Sequence, residues 1–123
     1  MQPKKILAVD DSKLMLRMYE VMLRDIPVVM AENGRQALDL LAQHPDVDLV
    51  LLDINMPVMG GLDFLAAMAH NGRLPGVAVI VISTEGGDEQ IAAGLAAGAV
   101  AYLTKPFDAE KLRAAIAALP GGR

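Results

Sequence analysis

Residues 49–55 read Leu49-Val50-Leu51-Leu52-Asp53-Ile54-Asn55. Four consecutive apolar residues run straight into an aspartate, the pattern of a strand covered on both faces in a parallel sheet. Comparable runs occur at Ile6–Val9, Val28–Ala31, Val77–Ile82 and Val100–Leu103. Between them lie longer stretches with helical spacing. Leu14, Met18, Val21 and Met22 form one such face, Leu62, Leu65, Ala66 and Ala69 another, and Leu112, Ala115, Ile116 and Leu119 a third. Leu38 and Leu41 mark a further helix after the turn signal Asn33-Gly34. Met15, Met18 and Met22 are read as core filling rather than as a partner groove.

The remaining helix, Asp88 to Ala97, is thinly apolar, with Ile91 and Leu95 as its chief anchors and Gly94 inside it. An internal glycine costs about 1 kcal/mol against alanine, so this segment is expected to be weakly held and to exchange its amides faster than the first helix. Five strands alternating with five helices give a (βα)5 pattern, hence an α/β fold with a doubly wound parallel sheet and helices on both faces.

Composition narrows the function. The chain has 123 residues, enough for one domain with a sizeable core; 54% are hydrophobic and 21% charged. A net charge of −4 and the absence of any basic cluster larger than Lys4-Lys5 argue against direct nucleic-acid binding. There is no cysteine, and His44 and His70 lack a second ligand at metal spacing, so disulfides, thiolate chemistry and structural zinc are excluded. No apolar run approaches the ~18 residues of a membrane span, and the expected location is the cytoplasm. Residues 1–123 are expected to form a single domain with its core at about 4–119 and a short tail at 120–123.

In open parallel α/β sheets, ligands bind at the carboxyl ends of the strands. Asp10 and Asp11 follow the first strand, Asp53 the third, Ser83 and Thr84 the fourth, and Lys105 the fifth. Two carboxylates about 4 Å apart repel by about 4 kcal/mol at an effective dielectric of 20, and Lys105 alone does not offset three of them. A hard divalent cation does, which points to Mg²⁺ or Mn²⁺ and to phosphoryl transfer. Asp53, alone at the end of a central strand, is the candidate nucleophile for an aspartyl phosphate. Asp10 and Asp11 are candidate metal ligands. Lys105 is expected to pair with Asp53 or a phosphate oxygen, and Ser83 to hydrogen-bond another. Taken singly, Asp11 or Ser12 reads as a helix cap, Lys105 as a solvated loop residue and Ser83 as a turn residue; the site rests on their coincidence at matching strand ends.

Five stretches carry a resemblance. They are Asp10-Asp11-Ser12 with Arg17, Ala31-Glu32-Asn33-Gly34 with Ala37-Leu38, Asp53-Ile54-Asn55-Met56-Pro57 with Gly61, Ile82-Ser83-Thr84, and Tyr102-Leu103-Thr104-Lys105-Pro106-Phe107. In this order and spacing the chain resembles the receiver domain of response regulators in two-component signalling, and in size the single-domain chemotaxis type. The resemblance implies a flavodoxin-like strand order 2-1-3-4-5. It implies that Asp53 accepts a phosphoryl group from a phosphohistidine of a sensor histidine kinase or histidine phosphotransfer protein. Mg²⁺ would be held by Asp10 or Asp11, Asp53 and the Asn55 backbone carbonyl. Ser83 and Tyr102 would rearrange and alter the face made by the fourth helix, fifth strand and fifth helix, which binds an effector such as a flagellar motor or a downstream kinase. A cis Lys105–Pro106 bond is also implied.

The chain departs from the family pattern twice. Gly60 replaces the usual Asp or Asn, and Ala99-Val100-Ala101 lacks the acidic pair of many dimerising transcription factors, which favours a monomer. Rival readings are an aspartyl phosphatase, disfavoured by Asn55 where a second acid is wanted; a flavin-binding module, disfavoured by Asp10-Asp11 where a phosphate cradle is wanted; and a receiver that is never phosphorylated.

Overall fold

The computed structural model describes residues 1–56, 58–73 and 76–120; Pro57 of the quoted motif and most of the expected tail, residues 121–123, lie outside the described residues. The strands are β1 (Ile6–Val9), β2 (Val28–Ala31), β3 (Leu49–Leu52), β4 (Ala78–Ser83) and β5 (Ala101–Thr104). They alternate with helices α1 (Lys13–Met22), α2 (Gly34–Gln43), α3 (Gly61–His70), α4 (Asp88–Ala96) and α5 (Ala109–Ala117). All strand pairs are parallel, in the order β2-β1-β3-β4-β5. The flavodoxin-like expectation therefore holds, with β4 and β5 each shifted by one residue from the expected bounds.

Burial explains the order. Every residue of β1 and β3 is fully buried, as the uninterrupted runs require, whereas edge strands β2 and β5 are partly exposed. Alternate strand residues point to opposite layers. Leu7, Val9, Val50, Leu52, Val79 and Val81 meet α2 and α3 through Ala37, Leu41, Phe64, Leu65 and Met68. Ile6, Ala8, Leu49, Leu51, Ile80 and Ile82 meet α1 and α5 through Leu16, Tyr19, Leu112 and Ile116. Among the described residues no helix is long and apolar enough to cross a membrane.

Two helices bury a different face from the one expected. In α1 the core side chains are Leu16 and Tyr19, followed by Leu23, while Leu14 is 72% and Val21 66% exposed. Met18 is also exposed; only Met15 and Met22 of the methionine set pack against the core. In α3 the buried set is Gly61, Phe64, Leu65 and Met68, so of the expected face only Leu65 is core. The reason is common to both: each helix is apolar around much of its circumference, and the sheet selects the larger, more complementary side. The α2 and α5 faces are as expected.

The α4 expectation also changes. Gly94 is its buried residue, Ile91 is half-buried and Leu95 is exposed. A methyl group on Gly94 would lie 3.3 Å from Tyr102 Cδ2 and 3.6 Å from Val81 Cγ2, so the glycine lets α4 lie close against the Tyr102 ring. Its helix-propensity cost is exchanged for proximity.

Candidate phosphoryl and metal site

The sheet brings Asp10, Asp53, Ser83 and Lys105 to one edge because β1, β3, β4 and β5 end in register. The ladder continues one step beyond β1 and β3. The Asp10 amide donates to the Ala31 carbonyl at 3.0 Å and the Asp53 amide to the Val9 carbonyl at 2.9 Å, which fixes both backbones. The Lys105 amide is held likewise by the Ser83 carbonyl at 2.8 Å. Positions set by backbone hydrogen bonds leave the side chains little freedom to drift.

One carboxylate oxygen from each of Asp10, Asp11 and Asp53 lies within 4.8 Å of the other two. Asp10 and Asp53 are buried, and Asp11 is exposed at the rim. An all-oxygen cluster of this size, open on one side, suits a small hard cation that retains water. The three residues expected to gather do so, and they form a group able to hold a metal ion.

Lys105 pairs with Asp53, as expected, and more closely with Asp10. Its ammonium donates to Asp10 Oδ2 at 2.9 Å and stands 4.0 Å from Asp53 Oδ1. Both carboxylates are buried, Asp10 the more completely, and the shorter contact goes to Asp10. Asp10 Oδ1 accepts from the Ser12 amide at 2.9 Å, so both of its oxygens have partners. Ser12, not Asp11, caps α1, accepting from the Met15 amide at 3.2 Å. Asp11 is thereby left free to face the cluster.

The Lys105 ammonium lies farther from Asp53 than from Asp10. Burial pushes the Asp53 carboxyl up to about 6. Lys105 opposes the shift, the charges of Asp10 and Asp11 add to it, and the Asn55 backbone amide lowers it by hydrogen bonding. The same burial, aided by Asp10 and Asp53, raises the phenol of Tyr19, whose ring stacks on Phe107 at 6.2 Å between centroids. Tyr19 is thus a buried aromatic floor near the acidic site.

Ser83 is buried, and its Oγ accepts from the Glu85 amide at 3.1 Å. The Tyr102 hydroxyl donates to the Glu85 carbonyl at 2.5 Å. Glu85 escaped the sequence reading; only its place two residues after Ser83 would have signalled it. The Lys105–Pro106 bond is cis, as the resemblance implied. His70 is exposed at the end of α3, and half-buried His44 receives Lys5 Nζ at 3.2 Å, so neither belongs to the site.

Asp53 opens a loop that closes tightly onto α3. A methyl group on Gly61 would lie 2.6 Å from the Asp53 carbonyl oxygen, so only glycine permits the turn. Gly60, the departure from the family pattern, is the N-cap position of α3 and offers no side-chain cap.

Comparison with known proteins agrees with this geometry. Residues 6–117 match the model of the response regulator receiver domain. The chain is 35% identical over 112 residues to a chemotaxis protein CheY homolog of Campylobacter jejuni, covering 89% of this chain and 86% of the relative. It superposes on Vibrio cholerae CheY4 with a TM-score of 0.86 at 33% identity, covering 94% of this chain and 98% of that one. Borrelia burgdorferi CheY, solved in a complex with CheX, BeF3 and Mg²⁺, matches with a TM-score of 0.84 at 28% identity, covering 93% and 87%. A site of clustered carboxylates at the carboxyl edge of a 2-1-3-4-5 sheet, within a chain matched over nearly its whole length, places this protein in the response regulator receiver family, a family of signalling domains.

Proposed function

We propose that the chain is a phosphorylation-dependent switch whose Asp53 accepts a phosphoryl group from a phosphohistidine on a histidine kinase or histidine phosphotransfer protein. The observation that carries this reading is the gathering of Asp10, Asp11 and Asp53 oxygens within 4.8 Å, with the Lys105 ammonium 4.0 Å from Asp53. Asp10, Asp11, Asp53 and the Asn55 carbonyl would hold Mg²⁺, or Mn²⁺ in its place. When bound, the cation neutralises the carboxylates and the negative charge of the transferring phosphoryl group.

In the transfer, an Asp53 oxygen attacks phosphorus. A P–O bond forms as the P–N bond breaks, and the imidazole leaves with that bond's electron pair. The elevated Asp53 carboxyl must be ionised to attack; Lys105 favours the ionised form and the neighbouring carboxylates oppose it. Lys105 and the Ser83 hydroxyl would then hold phosphoryl oxygens. Ser83 Oγ, which accepts from the Glu85 amide, would donate its own hydrogen to the new group, and Tyr102, bonded to the same residue, would respond to any shift of Glu85. The changed α4-β5-α5 face would bind an effector protein. On this reading residues 1–123 act as one receiver domain, monomeric and cytoplasmic, turning over only its own phosphoryl group.

Incubation with acetyl phosphate and Mg²⁺ tests the proposal by mass spectrometry. One added phosphoryl group, lost in Asp53→Asn, is expected; an unmodified native chain would overturn it. A pull-down comparing untreated protein with its beryllofluoride-bound form would then reveal the effector.

A further inference from the structure

The first amide of α2 serves the phosphoacceptor loop rather than its own helix. Gly34 N–H donates to the Met59 carbonyl at 3.0 Å. The Asn33 side chain covers the Gln36 amide at 2.9 Å, so this helix end shares its otherwise unsatisfied donors between its cap and the loop. The approach is too close for any other residue. A methyl group on Gly34 would lie 2.8 Å from both the Met59 carbonyl oxygen and Met59 Cγ. The side chain can swing aside, but the backbone oxygen moves only if the loop does.

A second observation points to the same place. Val58, directly before Met59, has φ 67°, in the left-handed region that β-branched residues avoid. It is 84% exposed, so its side chain gains no packing from that conformation. Backbone strain of this kind persists where the surroundings over-determine it. The Gly34 contact supplies such a constraint from outside the loop. At the loop's other end the Gly61 amide holds the Ile54 carbonyl at 2.9 Å. Asn55 lies between the two anchors.

We infer that Gly34 is a positioning residue for the metal and phosphoryl site: by clasping the Met59 carbonyl from α2, it holds the β3–α3 loop so that the Asn55 carbonyl and the Asp53 carboxylate converge on a divalent cation. The inference rests on the proposed Mg²⁺ reading of the acidic cluster. Because linkage is reciprocal, a clasp that favours cation binding is itself tightened by the cation.

Calorimetric titration with Mg²⁺ of the native chain, Gly34→Ala and Gly72→Ala tests it. Gly72, in the turn that follows α3, has φ 74° and open space around it, so alanine there adds backbone strain without touching the loop. Both variants should melt below the native chain, but only Gly34→Ala should lose Mg²⁺ affinity, by about fivefold or more. Amide exchange gives a reading independent of the variants. Mg²⁺ should slow exchange at Gly34 in the native chain while leaving Ala37, whose amide donates to the Asn33 carbonyl in the first turn, unchanged. Gly34→Ala binding Mg²⁺ as tightly as the native chain, or a Gly34 amide indifferent to Mg²⁺, overturns the inference alone. A native chain that does not bind Mg²⁺ overturns the inference and the metal reading together. If Gly34→Ala does not fold, the exchange measurement decides.

Discussion

Lys105 Nζ and Asp10 Oδ2 are 2.9 Å apart, while the same ammonium stands 4.0 Å from Asp53. The Lys105 ammonium therefore lies closer to Asp10 than to Asp53, and a metal ion bound as proposed would share Asp10 with it. Lys105→Ala should leave Asp10 buried beside other carboxylates with no cation, lowering metal-free stability by about 3 kcal/mol. Mg²⁺, no longer opposed by a like charge, should bind about tenfold more tightly. Thermal melts with chelator and with Mg²⁺, together with calorimetric titration, check both effects.

Asp53→Asn should stabilise the metal-free chain at neutral pH. The folded carboxyl titrates near 6, above its ordinary value, so the native state binds more protons than the unfolded one between about pH 4 and pH 6. Stability falls as pH rises through that window, and the penalty is complete above it. The variant lacks the penalty, which is about 1–2 kcal/mol after allowing for solvent at the rim. Urea unfolding in chelator at about pH 7.5 and about pH 3.5 should show a gain at the higher pH and none at the lower.

The corrected α1 face separates two leucines two residues apart. Leu16, 6% exposed, should cost about 2–5 kcal/mol on replacement by alanine. Leu14, 72% exposed, should cost less than about 0.5 kcal/mol. Equal losses in denaturant titrations would contradict the burial described for this helix.

Val58→Asn should stabilise the chain by about 1 kcal/mol, since asparagine tolerates the left-handed backbone that valine resists. Chemical denaturation of the two proteins measures it. A loss of stability would show that the loop does not hold Val58 at positive φ in solution.

How far the sequence alone disclosed this molecule depends on what each feature needs. Strand identity was legible because runs such as Leu49–Leu52 contain no polar residue and end at Asp53. The acidic cluster was legible because the topology of a parallel sheet sends every strand's carboxyl end to one edge. Helix faces were less so. In α1, Leu14, Met15, Leu16, Met18, Tyr19, Val21 and Met22 offer apolar stripes on several sides, and only the sheet beneath distinguishes them. The Lys105–Asp53 pair was legible, but the shorter contact of Lys105 with Asp10 depends on side-chain geometry that the sequence does not show. Contacts between distant glycine and backbone, as at Gly34 and Met59, leave no periodic trace.

Glu85 is gripped from both ends, its N–H by the Ser83 hydroxyl and its carbonyl by the Tyr102 phenol. The two grips fall on successive peptide groups, so Glu85 joins the buried Ser83 to the Tyr102 ring through one residue of backbone. On the proposed reading, a change at either side chain is passed to the other through this shared residue. If phosphorylation of Asp53 shifts Glu85 between two arrangements, as proposed, a population of these molecules would answer a stimulus by the fraction switched rather than by the extent to which each one moves.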